Sequence, residues 1–569
     1  MYNEQIISKT FNLPIYYIEK KRILEDNIIT DLELIKCYDE SNKPIYHELF
    51  NPCDDISKET SKMWVKYYTD DTIFLKDSKS LYKNIKISCL NDCSKFTETW
   101  FEIMNNDDFL CKYHYVDSKY LKSFNTNSKF LTYLSIYNMM SPVLALISPI
   151  ILLIIPFLIL KVRKIPVTIS QYKREIGKIL GKHPVGNFFK NFNKVGFKKK
   201  IYMLSSLGFY GFQMYQNCMS CYRFYKNQKY IHNFFNETKN YINNTVNSMN
   251  NYLNYTRNLK TYNPFNEDLL KHKTILESYC QRLSSITDMN KKNIHKNVSQ
   301  IGVLMKEFHR ARFDEELENT ITYSLGFNGY YNNIYELKGL INTNKVNFCK
   351  FSNSKMKLNN MIYPSLQNTP GVVKNSVDLN KNLIITGPNA AGKTTAIKTV
   401  MLNIIFSQQL SLGFYKNATI TPYKYLHCYI NIPDTSGRDS LFQAEARRCK
   451  EIIEHIEEEP SDSHFCLFDE LYSGTNPDEA SASAYAFIDY LTKNNNITFV
   501  LTTHFIEVCE KLESNDNVNN LHMISYMKDN KILYEYKIGK GISKMKGGLE
   551  VLKDLNYPAG LINKANSFI

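Results

Sequence analysis

The sequence predicts an α/β domain at its C-terminal end, preceded by a mainly helical region and by one apolar segment long enough to cross a bilayer. Three features of the chain support this. From Val346 onward, β-prone runs divided by Gly, Pro and Asn turns give way to alternating strand and helix patterns. Between about 217 and 345, Leu269, Leu270, Ile275, Leu276, Leu283 and Ile286 recur at three- and four-residue offsets, and Pro is nearly absent after Pro264. Val143 to Leu160 is an unbroken run of eighteen residues without a charge. The chain therefore divides into an N-terminal region of unassigned role (1–140), the apolar segment (141–161), a helical, lever-like region with a basic start (162–345) and the α/β domain (346–569).

The first region mixes short apolar runs with turn-forming clusters such as Asn51 to Asp55 and Asn105 to Asp108, and shows no catalytic pattern. Whole-chain composition excludes two broad classes. With 569 residues, 43% hydrophobic and 22% charged, the chain has ample material for folded cores, which excludes wholesale disorder. Thirteen cysteines, an odd number scattered over this length, read as reduced thiols rather than a disulfide scaffold.

The 70 Lys and Arg against 56 Asp and Glu leave a formal charge of +14, and this excess is localised. Between Lys161 and Lys200 stand twelve basic residues and one acid, Glu175, a local excess of +11. The block directly follows the apolar run, whose only hydroxyl is Ser148. A helix of ~20 such residues covers the hydrocarbon layer, and Pro149 and Pro156 are better tolerated in lipid than in a soluble helix. No signal peptide is expected before it, because Met1 to Leu13 has no long apolar run. If the segment inserts, Lys161, Arg163, Lys164, Lys173, Arg174 and Lys178 outweigh Lys119, Lys122 and Lys129, which places the C-terminal part in the cytoplasm. The alternative is a buried core helix, or two short buried elements broken at the prolines, with a nuclear location then open. Ile201 to Met214 is a weaker apolar stretch that reads as core or interface. Charge thus speaks first to topology: Lys198 to Lys200 reads as a topology or lipid signal before a DNA contact.

Within the helical region, Asn233 to Asn258 is polar enough to be expected as an exposed arm or a poorly ordered linker. Cys218 and Cys221, with Cys89 and Cys93, have the spacing of two halves of a zinc site, but buried free thiols are the preferred reading. Glu457 to Glu459 reads as a solvated helix end.

The chemistry lies in the C-terminal domain. Asn382 to Thr386 reads as a buried strand, followed by Gly387-Pro388-Asn389-Ala390-Ala391-Gly392-Lys393-Thr394, which has the Gly-x4-Gly-Lys-Thr pattern of a phosphate-binding loop. Glycines at 387 and 392 let the backbone wrap a phosphate closely, and the helix beginning near Lys393 adds the positive end of its dipole. Lys393 should reach the β- and γ-phosphates of a nucleoside triphosphate, and Thr394 should place its hydroxyl on Mg²⁺. His464 to Glu470 is an apolar strand ending in two carboxylates, with Asp469 lying 76 residues after Lys393. Asp469 can hold Mg²⁺ and Glu470 can polarise the attacking water. A third strand, Ile497 to Thr503, ends at His504, where a γ-phosphate sensor would stand.

Together these segments resemble the MutS family ATPase domain. The resemblance rests on Ile385 to Thr395, Asp469 to Asn476, Thr502 to His504 and Val518 to His522, in the family's order and spacing; Ser440 to Glu445 resembles its signature segment, and Gly539, Gly541, Ser543, Gly547, Gly548, Leu555 and Pro558 its C-terminal dimerisation tail. It covers roughly Val346 to Ile569 and implies an α/β P-loop ATPase domain of the ABC/MutS-like kind, with ATP and Mg²⁺ as ligands. Gly387 through Thr395 would bind the triphosphate, Thr394 and Asp469 the metal, and Asp469, Glu470 and His504 would serve hydrolysis. His522 would lie near adenine, and Ser440, at a helix start, would reach a partner's nucleotide in a homodimer.

This sequence also departs from the family. The stretch Asp434 to Asp439 before Ser440 is one residue longer than the usual form. No mismatch-reading domain is recognisable: Phe96-Thr-Glu98 lacks the surrounding glycines, and Phe-x-Glu recurs at Phe235 and Phe265. No further nuclease domain is expected, the chain stopping at Ile569. Two functions follow: a dimeric ATPase that clamps mismatched, branched or duplex DNA, or a membrane-anchored ATP-driven switch acting on a protein or membrane partner. A transporter subunit is a poor fit, because the Leu-Ser-Gly-Gly signature is missing.

Overall fold

The computed structural model describes residues 4–88, 94–163, 168–287, 294–430, 440–528, 531–545, 552–553 and 557–567. They form two compact units, one built from Met1–Leu90, Asn247–Lys273 and Thr322–Ile569, the other from Asn91–Val246 and Thr274–Ile321.

The second unit is helical. Its longest element wholly inside the unit, Ser128–Val162, starts where the Asn127 side chain accepts from the amides of Lys129 and Phe130 at 3.0 and 3.2 Å. It runs through Pro149 and Pro156 without ending, so the expectation of two short elements broken at the prolines does not hold. Its first turns pack against the helix Ile294–Phe313. A Cβ on Gly302 would stand 2.1 Å from both the Ser128 carbonyl and the Thr132 hydroxyl, so only glycine permits this approach. The window Ser128–Ile147 has a mean hydropathy of 1.5 and is only 11% buried, and Leu146, Ile154, Leu158 and Ile159 are about half exposed.

The Asn-rich stretch corrects the sequence reading. Asn233 to Asn258 is neither an arm nor a linker: up to Thr256 it is the last part of one continuous helix, Phe197–Thr256. Phe234, Phe235, Thr238, Tyr241, Ile242, Thr245, Met249, Tyr252 and Thr256 are all buried. They recur at three- and four-residue offsets, so the asparagines fill the outer face of an amphipathic helix whose core stripe is complete. Phe96 stacks on Tyr241 with ring centroids 4.1 Å apart and is 5% exposed, which makes it a core residue.

The first unit holds the α/β domain. The strands of its principal sheet are β1 (Asn382–Thr386), β2 (Tyr425–Tyr429), β3 (His464–Asp469), β4 (Ile497–Thr502), β5 (Val518–Lys528) and β6 (Lys531–Lys540), in the order β2-β3-β4-β1-β5-β6. The first five are parallel and β6 returns antiparallel to β5. The crossover helices are α1 (Lys393–Leu410), α2 (Leu441–Glu458), α3 (Pro477–Thr492) and α4 (Ile506–Leu512). β1, β3 and β4 are continuous apolar runs because helices cover both faces of the sheet. A smaller four-stranded sheet, including Lys357–Met361 and Asn375–Asp378, stands beside it. The Asn375 carboxamide bridges to β6: its oxygen accepts from the Ile538 amide at 2.8 Å and its nitrogen donates to the Tyr536 carbonyl at 2.9 Å.

Residues 4–88 share this unit and cover α1. From Val400 to Leu410 every side chain of α1 is buried, polar ones included. Gln409 donates to the carbonyls of Trp64 and Tyr67 at 2.7 and 2.9 Å and accepts from the Tyr46 hydroxyl at 2.6 Å. Gln408 donates to the carbonyls of Thr69 and Tyr423 at 3.1 and 2.7 Å and accepts from the Tyr423 amide at 3.0 Å. Two adjacent glutamines thereby satisfy six buried backbone and hydroxyl groups or bonds that apolar residues would strand. Gln409→Leu is expected to lower the unfolding free energy by about 2–4 kcal/mol, because it orphans buried polar groups. Tyr46→Phe, which removes a single bond, should cost about 1 kcal/mol. Urea denaturation of the two variants side by side checks the ratio.

Candidate nucleotide site

The site is built at the C-terminal ends of β1, β3 and β4, where an open parallel sheet leaves a crevice between loops. Three residues of the loop after β1 take left-handed or otherwise positive φ: Gly387 at +154°, Ala390 at +64° and Gly392 at +88°. Behind it, a Cβ on Gly387 would stand 3.2 Å from the Met523 side chain, and one on Gly392 would stand 3.2 Å from the Tyr536 ring. The loop is therefore pressed against the β5–β6 hairpin, and glycine is needed at both points for space as well as for conformation. Gly392 serves as the N-cap of α1 and offers no side-chain cap, leaving the amides of the first turn open to an anion.

In front of the loop lies a cavity of about 560 Å³, within the range of small-molecule sites. Pro388, Asn389, Ala390, Gly392, Lys393, Thr394 and Thr395 line it, with Ala391 buried behind them. Glu470 enters from the end of β3. The far wall is apolar and comes from Met361, Tyr363, Leu366, Val372 and Val373, completed by Met523 and Tyr536.

Four side chains meet at the loop. Lys393 is 5% exposed; its Nζ donates to the carbonyls of Gly387 and Pro388 at 3.1 and 3.4 Å and lies 3.4 Å from Glu470 Oε1. His504 Nε2 lies 2.7 Å from the same Glu470 oxygen and 3.1 Å from Lys393 Nζ. One ring nitrogen cannot accept from lysine and donate to glutamate at once, and the shorter contact assigns the proton to Nε2, donating to Glu470. That hydrogen bond, helped by the Lys393 charge, holds the Glu470 carboxyl below the usual glutamate value against the opposing effect of burial. Burial draws the Lys393 ammonium below the usual lysine value, with Glu470 opposing. Beside them, the Thr394 hydroxyl donates to Asp469 Oδ2 at 2.7 Å, and the Thr502 hydroxyl donates to Asp469 Oδ1.

This donor set fits Mg²⁺ and a triphosphate. A hydroxyl and a carboxylate in contact at the mouth of the loop are hard oxygen donors of the kind that bind Mg²⁺ alongside substrate phosphates. The buried lysine and the open amides of α1 would supply a positive field for phosphates.

Glu470 and Tyr472 themselves have left-handed backbones, with φ of +53° and +58°. The bend is held from α2: the buried Glu445 carboxylate accepts from the Ser473 amide and hydroxyl at 3.1 and 2.8 Å and from the Gly474 amide at 3.1 Å. Glu445 therefore acts on the loop that aims Glu470, although sequence alone marks it only as part of a segment.

Ser440 and His522 stand apart from this cluster. Ser440 is the exposed N-cap of α2, and its hydroxyl accepts from the Gln443 amide at 3.3 Å in a capping box completed by the Gln443 side chain. The stretch Asp434 to Asp439 before it lies outside the described residues, as do Gly547, Gly548 and Leu555 of the tail and Cys89 and Cys93 of the candidate zinc pair. His522 turns its Nδ1 toward the Gly541 carbonyl at 3.3 Å, and its neighbour Met523 faces the cavity instead. Strand alternation at 522 and 523 is the signal that separates them, and it needs the register of β5 to be read. The apolar wall between Met361 and Val373 has no sequence motif; only the fold brings it to the loop.

Comparison with known proteins agrees with the geometry. The profile of MutS domain V matches residues 383–569. Endonuclease MutS2 of Staphylococcus haemolyticus (strain JCSC1435) is 29% identical over 211 residues, and Endonuclease MutS2 of Staphylococcus aureus (strain JH9) is 29% identical over 213 residues. Each alignment covers 36% of this chain and 26% of the relative, so the chain matches about a quarter of the length of these curated proteins. The domain is ATPase-like and nucleotide-binding in kind. The match is confined to the C-terminal region, where residues 383–569 form a diverged MutS-family domain.

Proposed function

We propose that the chain hydrolyses ATP at the loop between β1 and α1 and that two copies, joined through their ATPase domains, couple this to the gripping of DNA. The observation that supports hydrolysis is the junction of Lys393, Glu470 and His504 beside the Thr394–Asp469 pair. Lys393 would exchange its loop carbonyls and Glu470 for the β- and γ-phosphates. Glu470, kept ionised by His504, would orient the attacking water, and His504 would respond to the γ-phosphate. Thr394 and Asp469 would hold Mg²⁺, which neutralises phosphate charge during transfer. The adenine ring would lie against the apolar wall with Met523, on the face of β5 opposite to His522. Ser440, at the positive end of α2, would act across the dimer on the partner's nucleotide.

The DNA reading rests on the family match, and the named relatives are called endonucleases. A membrane-anchored switch is the second reading, favoured by the exposure of the apolar helix Ser128–Val162: a helix of 35 residues, only 11% buried along Ser128–Ile147, exposes a surface that lipid would cover. The segment 141–161 would then be the span, with the ATPase domain in the cytoplasm.

Lys393→Ala should abolish binding of a fluorescent ATP analogue, whereas Glu470→Gln should bind it normally and release phosphate about 10²–10³-fold more slowly. Equal loss of binding in both variants would refute this division of roles. Glu445→Ala should lower kcat by about tenfold or more with little change in nucleotide affinity, since it loosens the bend that aims Glu470 rather than the phosphate loop. For the partner, phosphate release by detergent-purified protein should rise with homoduplex, mismatched or branched DNA. A rate unchanged by all three, in a protein that sediments with membranes, would favour the switch.

A further inference from the structure

At the other end of the same sheet, three histidines converge. His464 is the first residue of β3, and Asp469, the last, is a ligand candidate for the nucleotide metal; five residues of strand put the two ends about 17 Å apart. His427 lies on β2, directly across the ladder from Cys466 and diagonal to His464. His455 projects from α2 at heptad spacing from Arg448, whose guanidinium donates to the Cys428 carbonyl of β2. Each histidine offers one ring nitrogen, and the three nitrogens lie within 4.8 Å of one another.

The hydrogen bonding of the cluster is incomplete in a telling way. His464 Nε2 lies 3.0 Å from the Glu459 carbonyl, which can only accept, so the proton is on Nε2 and the lone pair of Nδ1 faces inward. His427 Nε2 lies 3.1 Å from that Nδ1. Two imidazoles bound to one tetrahedral zinc ion at about 2.0–2.1 Å stand about 3.3 Å apart, close to the separation already present. His455 Nδ1 is buried and has no hydrogen-bond partner among the described residues. His427 and His464 are 2% and 0% exposed.

We propose that His427, His455 and His464 form a three-imidazole site for a late first-row transition-metal dication, zinc in the first instance, that pins the last turns of α2 to β2 and β3.

The surroundings suit such an ion. Burial holds both the His427 and the His464 ring below the usual histidine value. A proton shift from Nε2 to Nδ1 of His427 is enough to turn its lone pair inward. The Glu459 carbonyl supplies the outer hydrogen bond that orients a metal-binding imidazole. Nitrogen donors select zinc, nickel, cobalt or copper over Mg²⁺, which separates this site from the oxygen donors Thr394 and Asp469. Arg448, a cation that acts on His427, is paired with Glu25 and Glu451 at 3.2 Å each. The fourth position of the tetrahedron is left to water.

The full chain, stripped with a chelator and held in excess Mg²⁺, would be titrated with Co²⁺ alone. One equivalent should bind with the visible ligand-field bands of a nitrogen-rich tetrahedral centre, and Zn²⁺ should displace it. His455→Gln, at the half-buried corner, should weaken binding at least tenfold, while Asp469→Asn should leave it unchanged. Zn²⁺ should also raise the Tm of the parent chain and not that of His455→Gln. Absence of stoichiometric Co²⁺ binding by the parent chain would overturn the proposal. So would binding retained in His455→Gln, or binding lost in Asp469→Asn.

Discussion

The burial of α1 is the constraint on which the rest of the first unit depends. A helix that begins on the phosphate loop and is enclosed along its whole second half cannot shift without moving the loop, and its enclosure is polar as well as apolar. Gln408 and Gln409 take up backbone groups of Trp64, Tyr67, Thr69 and Tyr423, so the segment that precedes the helical region by sequence is a structural wall of the nucleotide domain. A hydrophobic substitution there would pack well and still fail, since desolvated carbonyls would be left without donors.

Around this fixed helix, the site is arranged as a set of exchangeable partners. Lys393 is held by two carbonyls and one carboxylate, Glu470 by one imidazole and one ammonium, Asp469 by two hydroxyls. Each of the side chains Lys393, Glu470, Asp469 and Thr394 already has a substitute partner, while the first-turn amides of α1 stay open. Little rearrangement of charge is therefore needed on binding, and the bend at Glu470, fixed by Glu445, keeps the carboxylate pointed at the loop in the meantime.

How much of this could be read from the chain depends on how local the physics is. The phosphate loop, the strand ending in Asp469 and Glu470 and the strand leading to His504 are contiguous segments whose spacing encodes their chemistry. The helical region was legible by its offsets, except where asparagine content hid the stripe from Phe234 to Thr256. Composition averages over both faces of a helix, whereas burial depends on one. Residues brought together only by tertiary contact were not legible: the apolar wall from Met361 to Val373, the Glu445 brace and the histidines at 427, 455 and 464 are separated by strands and helices that must pair first. Met523 and His522 differ by one residue and face opposite ways, a distinction that strand register alone decides.

The contact between Asn375 and β6 has a further consequence. β6 is the end strand of the sheet, ten residues long, and an open end of that length offers a row of unpaired amides and carbonyls to any other extended chain. The Asn375 carboxamide imitates one residue of a neighbouring strand, taking the Ile538 amide and the Tyr536 carbonyl at once. Lys531, Lys537 and Lys540 punctuate the rest, so an incoming strand would have to bring them together with its own charges. A single side chain and three lysines thus keep the sheet from growing by self-association at the margin where it borders the nucleotide cavity.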